Sequence, residues 1–447
     1  MTMNLTQARE YSQLVDVDRG VVDRRIYFDA EIYNLEMEQI FARAWLFMCH
    51  ESQIPNPGDF FLNFMGEDRV IVVRNNDGGI SVLVNSCRHR GNAVCRADEG
   101  HASSFMCTYH GWTYDLNGSL VGVPGFKEVY HEELDRENWG LIRAAQVDSY
   151  KGFVFATMDP EAPGLFEYLG EGGRWGIDLL AAQGNMVAVG GVHKFTINCN
   201  WKFPSDNTPD HYHGVFTHAS ARLAGYSGTT ARRVGSAGVL PQYYPEAGIT
   251  VLGEYGHGTA ARFLPKGWEE SFKGDVMNAW HLDKEKTGKL DELGRSVANA
   301  HLNVFPNLFV PAQSRNVAIR MPKGPKKSEI WMWTFVNADD DPETIKLNRH
   351  RTGHHFGPGG LMEQDDGENW DQSTASMQGV VSARHPLNYQ MNLGHGEFVK
   401  DERGPAHIGV HCSEHAQLWT YRAWSEFMRA SSWADLKANH TLPEGRV

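Results

Sequence analysis

Two short segments, CRHRG at residues 87–91 and CTYHGW at residues 107–112, decide how the first part of this chain folds. Each segment supplies one cysteine and one histidine, spaced C-x-H in the first and C-x-x-H in the second. Thiolate sulfur and imidazole nitrogen are ligands for zinc and for iron–sulfur clusters. The pattern therefore predicts a metal centre held by four side chains between two loops.

The residue types alone leave two kinds of centre open. Two thiolates and two imidazoles suit tetrahedral zinc, and they also suit a [2Fe–2S] cluster in which the cysteines hold one iron and the histidines the other. The order of the ligands favours the cluster, because each loop gives one Cys and one His, whereas zinc ribbons commonly pair like ligands as CxxC. The spacing resembles that of Rieske proteins, and the residues on the ligand positions are Cys87, His89, Cys107 and His110.

The sequence around these loops predicts a small antiparallel β domain over about residues 40–160. The turn signal NNDGG at 75–79 separates two of its β-rich runs. The predicted strands lie at 70–74, 81–85 and 152–158. Upstream, residues 27–50 carry apolar side chains near helical spacing, which predicts an amphipathic helix that leads into the domain.

The remaining chain, residues 1–39 and 161–447, mixes candidate helices and strands and predicts a larger domain of α+β class. Strand-like runs lie at 304–310 and 330–336. Residues 225–274 are rich in Gly, Tyr and Ala without clear periodicity, so we expect long loops that cover a site.

The bulk composition narrows the classes of function. A chain of 447 residues with 41% hydrophobic and 22% charged residues is typical of a globular protein with two or three cores. The net charge of −13 argues against a nucleic-acid partner. No signal-peptide core or stretch of roughly 18 apolar residues is present, so we expect a cytoplasmic protein without a membrane partner.

The six cysteines are too few for a disulfide scaffold of this size. Four of them fit no ligand spacing, and we expect them to be small buried side chains. These are Cys49, Cys95, Cys199 and Cys412.

A second group of metal-binding side chains lies in the segment NWKFPSDNTPDHYHGVFTH at 200–218. His213 and His218 are five residues apart, about 140° on a regular helix, so both face one metal only if the helix is distorted or ends between them. Asp210 precedes His213 by three residues and is placed to accept a hydrogen bond from an imidazole, which fixes its tautomer. A carboxylate ligand must come from elsewhere, and the acidic cluster EQDDGENW at 363–370 is the candidate source.

Nearly the whole chain is similar to the α subunits of the aromatic-ring-hydroxylating dioxygenases, which include naphthalene, biphenyl and phenylpropionate dioxygenases. The similarity includes AEIYNLEMEQIFARAWLFMCHESQIPNPGDF at 30–60, the two Cys/His loops, NWKFP with D-x-Y-H-x4-H, and EQDDGENW. It implies a Rieske [2Fe–2S] cluster and a mononuclear Fe(II) bound by His213, His218 and Asp366. Asp366 is preferred to Asp365 because the second Asp of the pair fills the family's ligand position. The resemblance also implies a helix-grip catalytic domain with a central antiparallel sheet.

The resemblance further implies a terminal oxygenase component that adds O₂ to an aromatic ring and gives a cis-dihydrodiol. Electrons would come from NADH through a reductase and usually a ferredoxin. The implied assembly is a homotrimer or an α3β3 hexamer with a small β subunit, in which Asp210 bridges His110 of one chain and His213 of the next.

Several residues match positions that line the substrate pocket. We count Asn207 with the catalytic residues. It precedes Asp210 by three positions, whereas in the naphthalene and biphenyl branch four positions separate the pocket asparagine from the bridging aspartate. The shorter spacing resembles branches that act on benzoate-like acids, so the predicted substrate is an arene or an aromatic acid. The other pocket candidates are His301, Phe356 and Met362. Phe356 and Met362 fit ordinary core packing equally well.

Arg315 and Arg320 are candidate anchors for a substrate carboxylate. Two arginines on one strand more often form surface ion pairs, which is the alternative interpretation.

Three other functions use some of the same residues. Monohydroxylation or oxidative demethylation of an aromatic substrate needs the same metals and a different pocket shape. A Rieske electron-transfer protein needs about a hundred residues and leaves roughly 300 unexplained. A zinc-binding module would be colourless, whereas a Rieske protein is red-brown.

Overall fold

The computed structural model describes residues 5–225 and 245–447. The chain forms two compact units, Phe41–Leu165 and a larger unit made of Met1–Ile40 together with Phe166–Val447. Within the described residues, no helix is both long and apolar enough to cross a bilayer.

The N-terminal segment runs through α1 (Leu5–Ser12), β1 (Val15–Asp16), β2 (Val21–Val22) and α2 (Ala30–Glu36). Asp29 caps α2 by accepting hydrogen bonds from two backbone amides of its first turn. The helix continues as a π-helical turn at Met37–Phe41, and the chain then forms β3 (Leu46–His50). The predicted helix over 27–50 is therefore wrong for its last part. The run LFMCH is buried at every position, and an apolar run of that length fits a buried strand as well as a helix.

The smaller unit is antiparallel β throughout its described pairings, as predicted. Its sheets have the strand orders β11-β12-β3, β6-β5-β4-β7 and β10-β9-β8. The predicted strands at 70–74, 81–85 and 152–158 correspond to β5, β6 and β12. The remaining bounds are β4 (Asp59–Met65), β5 (Asp68–Arg74), β6 (Ile80–Val84), β7 (Glu99–His101), β8 (Phe105–Met106), β9 (Thr113–Tyr114), β10 (Leu120–Gly122), β11 (Gln146–Tyr150) and β12 (Phe153–Thr157).

The larger unit is built on a nine-stranded antiparallel sheet with the order β13-β20-β19-β18-β17-β16-β15-β22, and β14 also pairs with β20. Its strands are β13 (Met186–Ala188), β14 (His193–Ile197), β15 (Gly248–Leu252), β16 (Gly258–Phe263), β17 (Val297–Val304), β18 (Leu308–Pro311), β19 (Asn316–Pro322), β20 (Ser328–Asn337) and β22 (His407–Ile408). A further strand, β21 (Leu387–Asn388), pairs with β2. The predicted α+β class with a central antiparallel sheet is confirmed.

The larger unit also contains further helices. They are α3 (Leu165–Ala181), α4 (Lys202–Asn207), α5 (Ala219–Leu223), α6 (Trp268–Ser271), α7 (Lys284–Thr287), α8 (Glu292–Ser296), α9 (Pro342–His355), α10 (Leu361–Met377), α11 (His415–Arg429) and α12 (Trp433–Asn439). Helix α10 packs against α4 and β14, while α11 packs against β15 and β16. The contact between α4 and α10 brings together the two sequence segments that carry the second group of metal-binding side chains.

Two expectations for the larger unit are wrong. The sequence predicts loops over residues 225–274, but this region contains the paired strands β15 and β16, at 248–252 and 258–263. The part of this prediction that falls on residues 226–244 lies outside the described residues. Gly248 is needed for close packing rather than for a loop, because an added Cβ would lie 2.1 Å from the carbonyl oxygen of Ala261. The predicted strand over 304–310 is two strands, with the turn around Pro306 between them, since proline cannot donate to a sheet ladder.

Candidate metal centres

The two Cys/His loops of the smaller unit have the same backbone hydrogen bonds. In each loop the cysteine amide donates to the carbonyl five residues later, and a glycine amide donates back to the cysteine carbonyl. The four bonds are Cys87 N to Asn92 O (2.9 Å), Gly91 N to Cys87 O (2.8 Å), Cys107 N to Trp112 O (2.8 Å) and Gly111 N to Cys107 O (2.9 Å). Both glycines have positive φ, 73° and 74°, which favours glycine at these positions.

These matched turns place the four predicted cluster ligands close together. Cys87 and Cys107 are buried in the apolar core of the unit. The rings of His89 and His110 have centroids 4.5 Å apart. Nδ1 of His89 is buried and has no hydrogen-bonding partner within the part of the chain that is described. An unpartnered imidazole nitrogen beside a second histidine and two cysteines fits the donor set of a [2Fe–2S] cluster.

Polar groups surround the two thiols. The hydroxyl of Tyr114 lies 3.3 Å from Sγ of Cys87, and Nδ2 of Asn92 donates to Sγ of Cys107 at 3.6 Å. Although burial opposes the change, hydrogen bonds from the backbone of Tyr109 and from Asn92 lower the pKa of Cys107. A lowered pKa favours the thiolate, which is the form that binds metal.

In the second site, the chain is not helical all the way from His213 to His218. Helix α4 ends at Asn207, a 3₁₀ turn spans His213–Val215, and α5 begins at Ala219. This break meets the requirement set by the five-residue spacing, because a continuous helix would separate the two imidazoles. The backbone amides of Tyr212 and His213 donate to Oδ1 of Asp210, which holds the start of the turn.

His213, His218 and Asp366 converge, with one ligand atom from each within 4.8 Å of the others. Nε2 of His213 and Nε2 of His218 lie 3.4 and 3.6 Å from Oδ1 of Asp366. That oxygen is buried and has no hydrogen-bonding partner among the described residues. Two imidazole nitrogens directed at one buried, unpaired carboxylate oxygen fit a bound cation better than they fit a hydrogen-bond network.

Carboxylates surround the two imidazoles. Oδ2 of Asp210 lies 3.1 Å from Nδ1 of His213, and Oδ2 of Asp365 lies 3.6 Å from Nδ1 of His218. Although burial opposes the change, Asp210 and Asp366 raise the pKa of His213 to about 10. Burial lowers the pKa of His218. The negative potential around His213 favours a positive charge, which a divalent metal ion supplies.

The predicted pocket residues lie in different elements of the larger unit. Asn207 ends α4, and its carbonyl accepts the amide of Asp210. The ring of His301, on β17, has its centroid 6.4 Å from that of Phe356, which follows α9. Phe356 and Met362 pack in one apolar cluster with Phe309. This packing fits a pocket wall as well as ordinary core, so the role of the two side chains stays a prediction.

The interpretation of Arg315 and Arg320 as surface residues is wrong, because they are only 3% and 2% exposed. Arg315 follows a 3₁₀ turn, and its Nε donates to Gln183. Arg320 lies on β19 with its guanidinium carbon 4.4 Å from the centre of the Phe309 ring. Burial lowers the pKa of Arg320 to about 10. Sequence alone gave no sign of this burial, which depends on the sheet order.

Several buried polar residues near these elements were not predicted. Burial raises the pKa of Asp206 to about 7, and its carboxylate accepts hydrogen bonds from the hydroxyls of Tyr389 and Tyr421. His211 and His411 are neighbours in space, with ring centroids 5.2 Å apart. The only signal in the sequence was the high count of 21 histidines. The four cysteines outside the Cys/His loops are buried, as predicted.

Comparison with known proteins identifies both parts of the chain. Residues 44–144 match the family model "Rieske [2Fe-2S] domain", and residues 166–407 match "Ring hydroxylating alpha subunit (catalytic domain)". The chain is 36% identical to biphenyl dioxygenase subunit alpha of Paraburkholderia xenovorans (strain LB400), covering 95% of this chain and 94% of the relative. It is 38% identical to biphenyl 2,3-dioxygenase subunit alpha of Rhodococcus jostii (strain RHA1), covering 96% and 93%.

Solved structures agree with the sequence relatives. A naphthalene 1,2-dioxygenase with indole bound in the active site has a TM-score of 0.84 and 30% identity, covering 95% of this chain and 96% of that one. The match to a catalytic domain shows that two alternatives, a zinc-binding module and a Rieske electron-transfer protein, are wrong. The resemblance found in the sequence is confirmed. The chain belongs to the alpha subunits of the aromatic ring-hydroxylating dioxygenases, oxidoreductases with a Rieske [2Fe–2S] cluster and a mononuclear iron.

Proposed function

We propose that this enzyme is a terminal oxygenase component that adds both atoms of O₂ to adjacent carbons of an aromatic ring and yields a cis-dihydrodiol. The observation that carries the proposal is the convergence of His213, His218 and Asp366 in one part of the larger unit. Two histidines and one carboxylate occupy one face of an iron and leave positions for O₂ and substrate. The relatives named above are dioxygenases of biphenyl and naphthalene, which supports a ring as the substrate.

The proposed ligand sets follow from the two clusters of side chains. The iron ligands are His213, His218 and Asp366, and the cluster ligands are Cys87, His89, Cys107 and His110. When bound, the cluster supplies single electrons and the iron is where O₂ reacts. We assign the cluster to a domain at 40–160, and the iron to a catalytic domain formed by 1–39 and 161–447.

The protein orients the iron ligands through neighbouring carboxylates. Asp210 faces Nδ1 of His213, which leaves Nε2 of that ring for the metal. Similarly, the carboxylate of Asp365 faces Nδ1 of His218, and it accepts a hydrogen bond from the hydroxyl of Ser220. Asp365 therefore supports a ligand, whereas the more deeply buried Asp366 is placed to be one.

The proposed assembly is a homotrimer or an α3β3 hexamer in the cytoplasm. In it, Asp210 bridges His110 of one subunit and His213 of the next, and electrons arrive from NADH through a ferredoxin, a reductase or both. Two features support contact at these residues. Tyr109, beside His110, is 59% exposed, and the side chain of Asp210 keeps 22% of its surface accessible.

The substrate is an arene or an aromatic acid, positioned by Asn207 and by a wall that includes His301, Phe356 and Met362. Phe356 and the neighbouring Phe309 offer apolar ring surface, with centroids 5.6 Å apart. Monooxygenation or oxidative demethylation remains the second candidate, because it needs the same iron ligands.

Turnover under ¹⁸O₂ tests the proposed reaction. The purified enzyme is supplied with NADH, a ferredoxin and a reductase, together with a panel of arenes and aromatic acids. We expect a cis-dihydrodiol that carries two labelled oxygen atoms from one O₂ molecule. A product with one labelled oxygen, from the same panel, would instead establish monooxygenation. The variant Asp366→Ala serves as the control and should form neither product.

A further inference from the structure

Three buried histidines from distant parts of the chain meet in the larger unit. The ring of His211 has its centroid 5.0 Å from that of His301 and 5.2 Å from that of His411. His211 lies in the loop after α4, His301 on β17, and His411 just after β22. We call these three residues the imidazole cluster.

Only one member of the imidazole cluster has its ring hydrogen bonds satisfied. Nε2 of His301 lies 2.8 Å from Nε2 of Gln313, and the backbone of Thr208 binds the ring as well. By contrast, both ring nitrogens of His211 and both of His411 are buried without a hydrogen-bonding partner among the described residues. Buried polar atoms are normally paired, so four unpaired nitrogens in one place indicate a missing binding partner.

A second metal ion does not explain these nitrogens. Within the described chain, the grouping of ligand atoms close enough to hold a metal is His213, His218 and Asp366, which excludes the imidazole cluster. Burial lowers the pKa of His411 to about 4, so its imidazole is neutral and offers one N–H donor and one acceptor. The missing partner is therefore a molecule that forms hydrogen bonds.

The imidazole cluster adjoins the aromatic rings of Phe309 and Phe356 and also the proposed iron ligands. The ring of His301 packs edge-to-face against Phe309 at 5.5 Å and faces His211 on another side. His211 is two residues before His213 in the chain, and the charge of His213 acts on the pKa of His301. An aromatic ring that packs on Phe309 near the iron would therefore have the imidazole cluster within reach of a ring substituent.

Burial is the main cause that lowers the pKa of His301 and of His411, and the positive charge of Arg262, on β16, acts in the same direction. Because the side chain of Arg262 is exposed to solvent, which screens its charge, the imidazole cluster suits a neutral carbonyl oxygen as well as a carboxylate. Space for His411 is provided by Gly248, where an added Cβ would lie 2.8 Å from Cγ of the histidine ring.

We propose that His211 and His411 bind an oxygen substituent of the aromatic substrate, so that this enzyme prefers arenes bearing a carboxylate or carbonyl to unsubstituted hydrocarbons. The N–H groups of the two imidazoles donate to the substituent, while Phe309 and Phe356 contact the ring. This inference rests on the proposed function, because it makes the imidazole cluster part of the same substrate pocket. Such a preference would distinguish this enzyme from the relatives named above, whose names refer to the hydrocarbons biphenyl and naphthalene.

The test is competition between substrates of similar shape in one reaction. Benzoate competes with toluene, and acetophenone competes with isopropylbenzene; the first pair tests a charged oxygen substituent and the second an uncharged one. The ratio of kcat/KM within a pair is independent of how much iron each preparation contains. We expect the wild-type enzyme to favour the oxygen-bearing member of at least one pair by roughly tenfold or more.

Three variants separate hydrogen bonding from packing. His411→Phe and His211→Phe keep a ring but remove its N–H, so the preference should fall to within about twofold of unity. His411→Asn keeps an N–H donor and should retain part of the preference. His281→Phe is the matched control, because His281 is also buried with an unpaired Nε2 but contacts Trp280 and Phe272 instead. Its ratio should equal that of the wild type.

Binding without turnover distinguishes this inference from the proposed function. Equilibrium dialysis of the same four compounds against the oxidised holoenzyme under argon should show the same order of affinity. If no compound is oxidised but the order of affinity holds and is lost in His411→Phe, the proposed reaction fails and the inference stands. The inference would be overturned if the wild type bound both members of each pair with equal affinity. It would also be overturned if His281→Phe and His411→Phe reduced the preference for the oxygen-bearing compound to the same extent.

Discussion

Nε2 of His213 lies 3.4 Å from Oδ1 of Asp366, a residue on a helix far along the chain. The contact between α4 and α10 makes this approach possible, and His218 reaches the same oxygen. Removing the carboxylate should therefore remove the metal without affecting the smaller unit.

The variant Asp366→Ala should lose the mononuclear iron and keep the cluster. Iron should fall from about three to about two atoms per chain, with the reduced-state EPR signal of the cluster unchanged. The control is Asp365→Ala, which removes a carboxylate that only faces His218 and should weaken iron binding by roughly 10–100-fold. Full activity of Asp366→Ala would contradict the ligand assignment.

Asp210→Asn should keep both metals and slow the reaction. Asp210 faces Nδ1 of His213, and the two backbone amides that it binds hold the turn in place. Loss of its charge should reduce the rate of product formation in a single turnover by roughly 10–100-fold. Single-turnover assays that start from reduced protein measure this step, with iron and sulfide content as the control. A rate within a factor of two of the wild type would exclude a role for the carboxylate.

Tyr114→Phe should lower the reduction potential of the cluster. The hydroxyl of Tyr114 lies 3.3 Å from Sγ of Cys87, and a hydrogen bond to a ligand sulfur stabilises the reduced state. Loss of about 1 kcal/mol of differential stabilisation corresponds to about 40 mV for a one-electron couple. Potentiometric titration followed by EPR measures the change. An unchanged or higher potential would show that the hydroxyl does not donate to the sulfur.

Lys202→Met should destabilise the larger unit. Nζ of Lys202 lies 2.6 Å from Oε1 of Glu36, and both side chains are fully buried. Removing one partner of a buried ion pair leaves an uncompensated charge, which costs roughly 3–5 kcal/mol. Denaturant unfolding followed by tryptophan fluorescence measures the loss.

The matched control for Lys202→Met is Lys273→Met. Lys273 pairs with Glu270 on the surface, with 63% and 82% of the two side chains exposed, so its loss should cost less than about 1 kcal/mol. The double variant Glu36→Gln, Lys202→Met should recover part of the stability, because it removes the unpaired buried charge. The recovery should be incomplete, since the indole N–H groups of Trp201 and Trp424 donate to different oxygens of Glu36 and glutamine keeps only one of them as an acceptor. If Lys202→Met and Lys273→Met lost equal amounts of unfolding free energy, burial would not explain the contribution of the Lys202–Glu36 pair.

Asp206 should make stability depend on pH. Burial raises its pKa to about 7, above the ordinary value of 3.8, so the folded state holds the proton more tightly than the unfolded state. Its favourable contribution is complete below the unfolded-state pKa and is lost as the pH rises through about 7.

The variant Asp206→Asn should therefore gain stability relative to the wild type as the pH rises. The size of the change is at most about 4 kcal/mol between acidic and neutral solution. Apparent unfolding midpoints of both proteins at about pH 5 and pH 8 measure the part of it that falls in this interval, which is at most roughly 3 kcal/mol. A difference between the two proteins that stays constant with pH would contradict the raised pKa.

Local patterns in the sequence were enough to predict the two Cys/His loops and much of the sheet. The spacing of Cys87, His89, Cys107 and His110 predicts four side chains on two loops, and the structure has two loops with matching hydrogen bonds. The run at 330–336 is contained in β20. These features depend on residues that are close in sequence.

Features that depend on long-range packing could not be predicted in this way. Gly248 resembles a loop residue until Ala261 is seen to lie against it in the neighbouring strand. Arg320 resembles a surface residue until the sheet order places it in the core. The approach of His211 and His411 depends on a fold that joins positions 200 residues apart.

In this enzyme one chain is expected to carry both a Rieske cluster and a separate mononuclear iron. The visible and EPR spectra of the purified protein, with iron, sulfide and zinc measured per chain, test for both centres at once. We expect a red-brown protein with about three irons and two sulfides per chain and a reduced-state Rieske signal. Zinc without sulfide, or a cluster with no third iron even after anaerobic addition of Fe(II), would contradict this expectation.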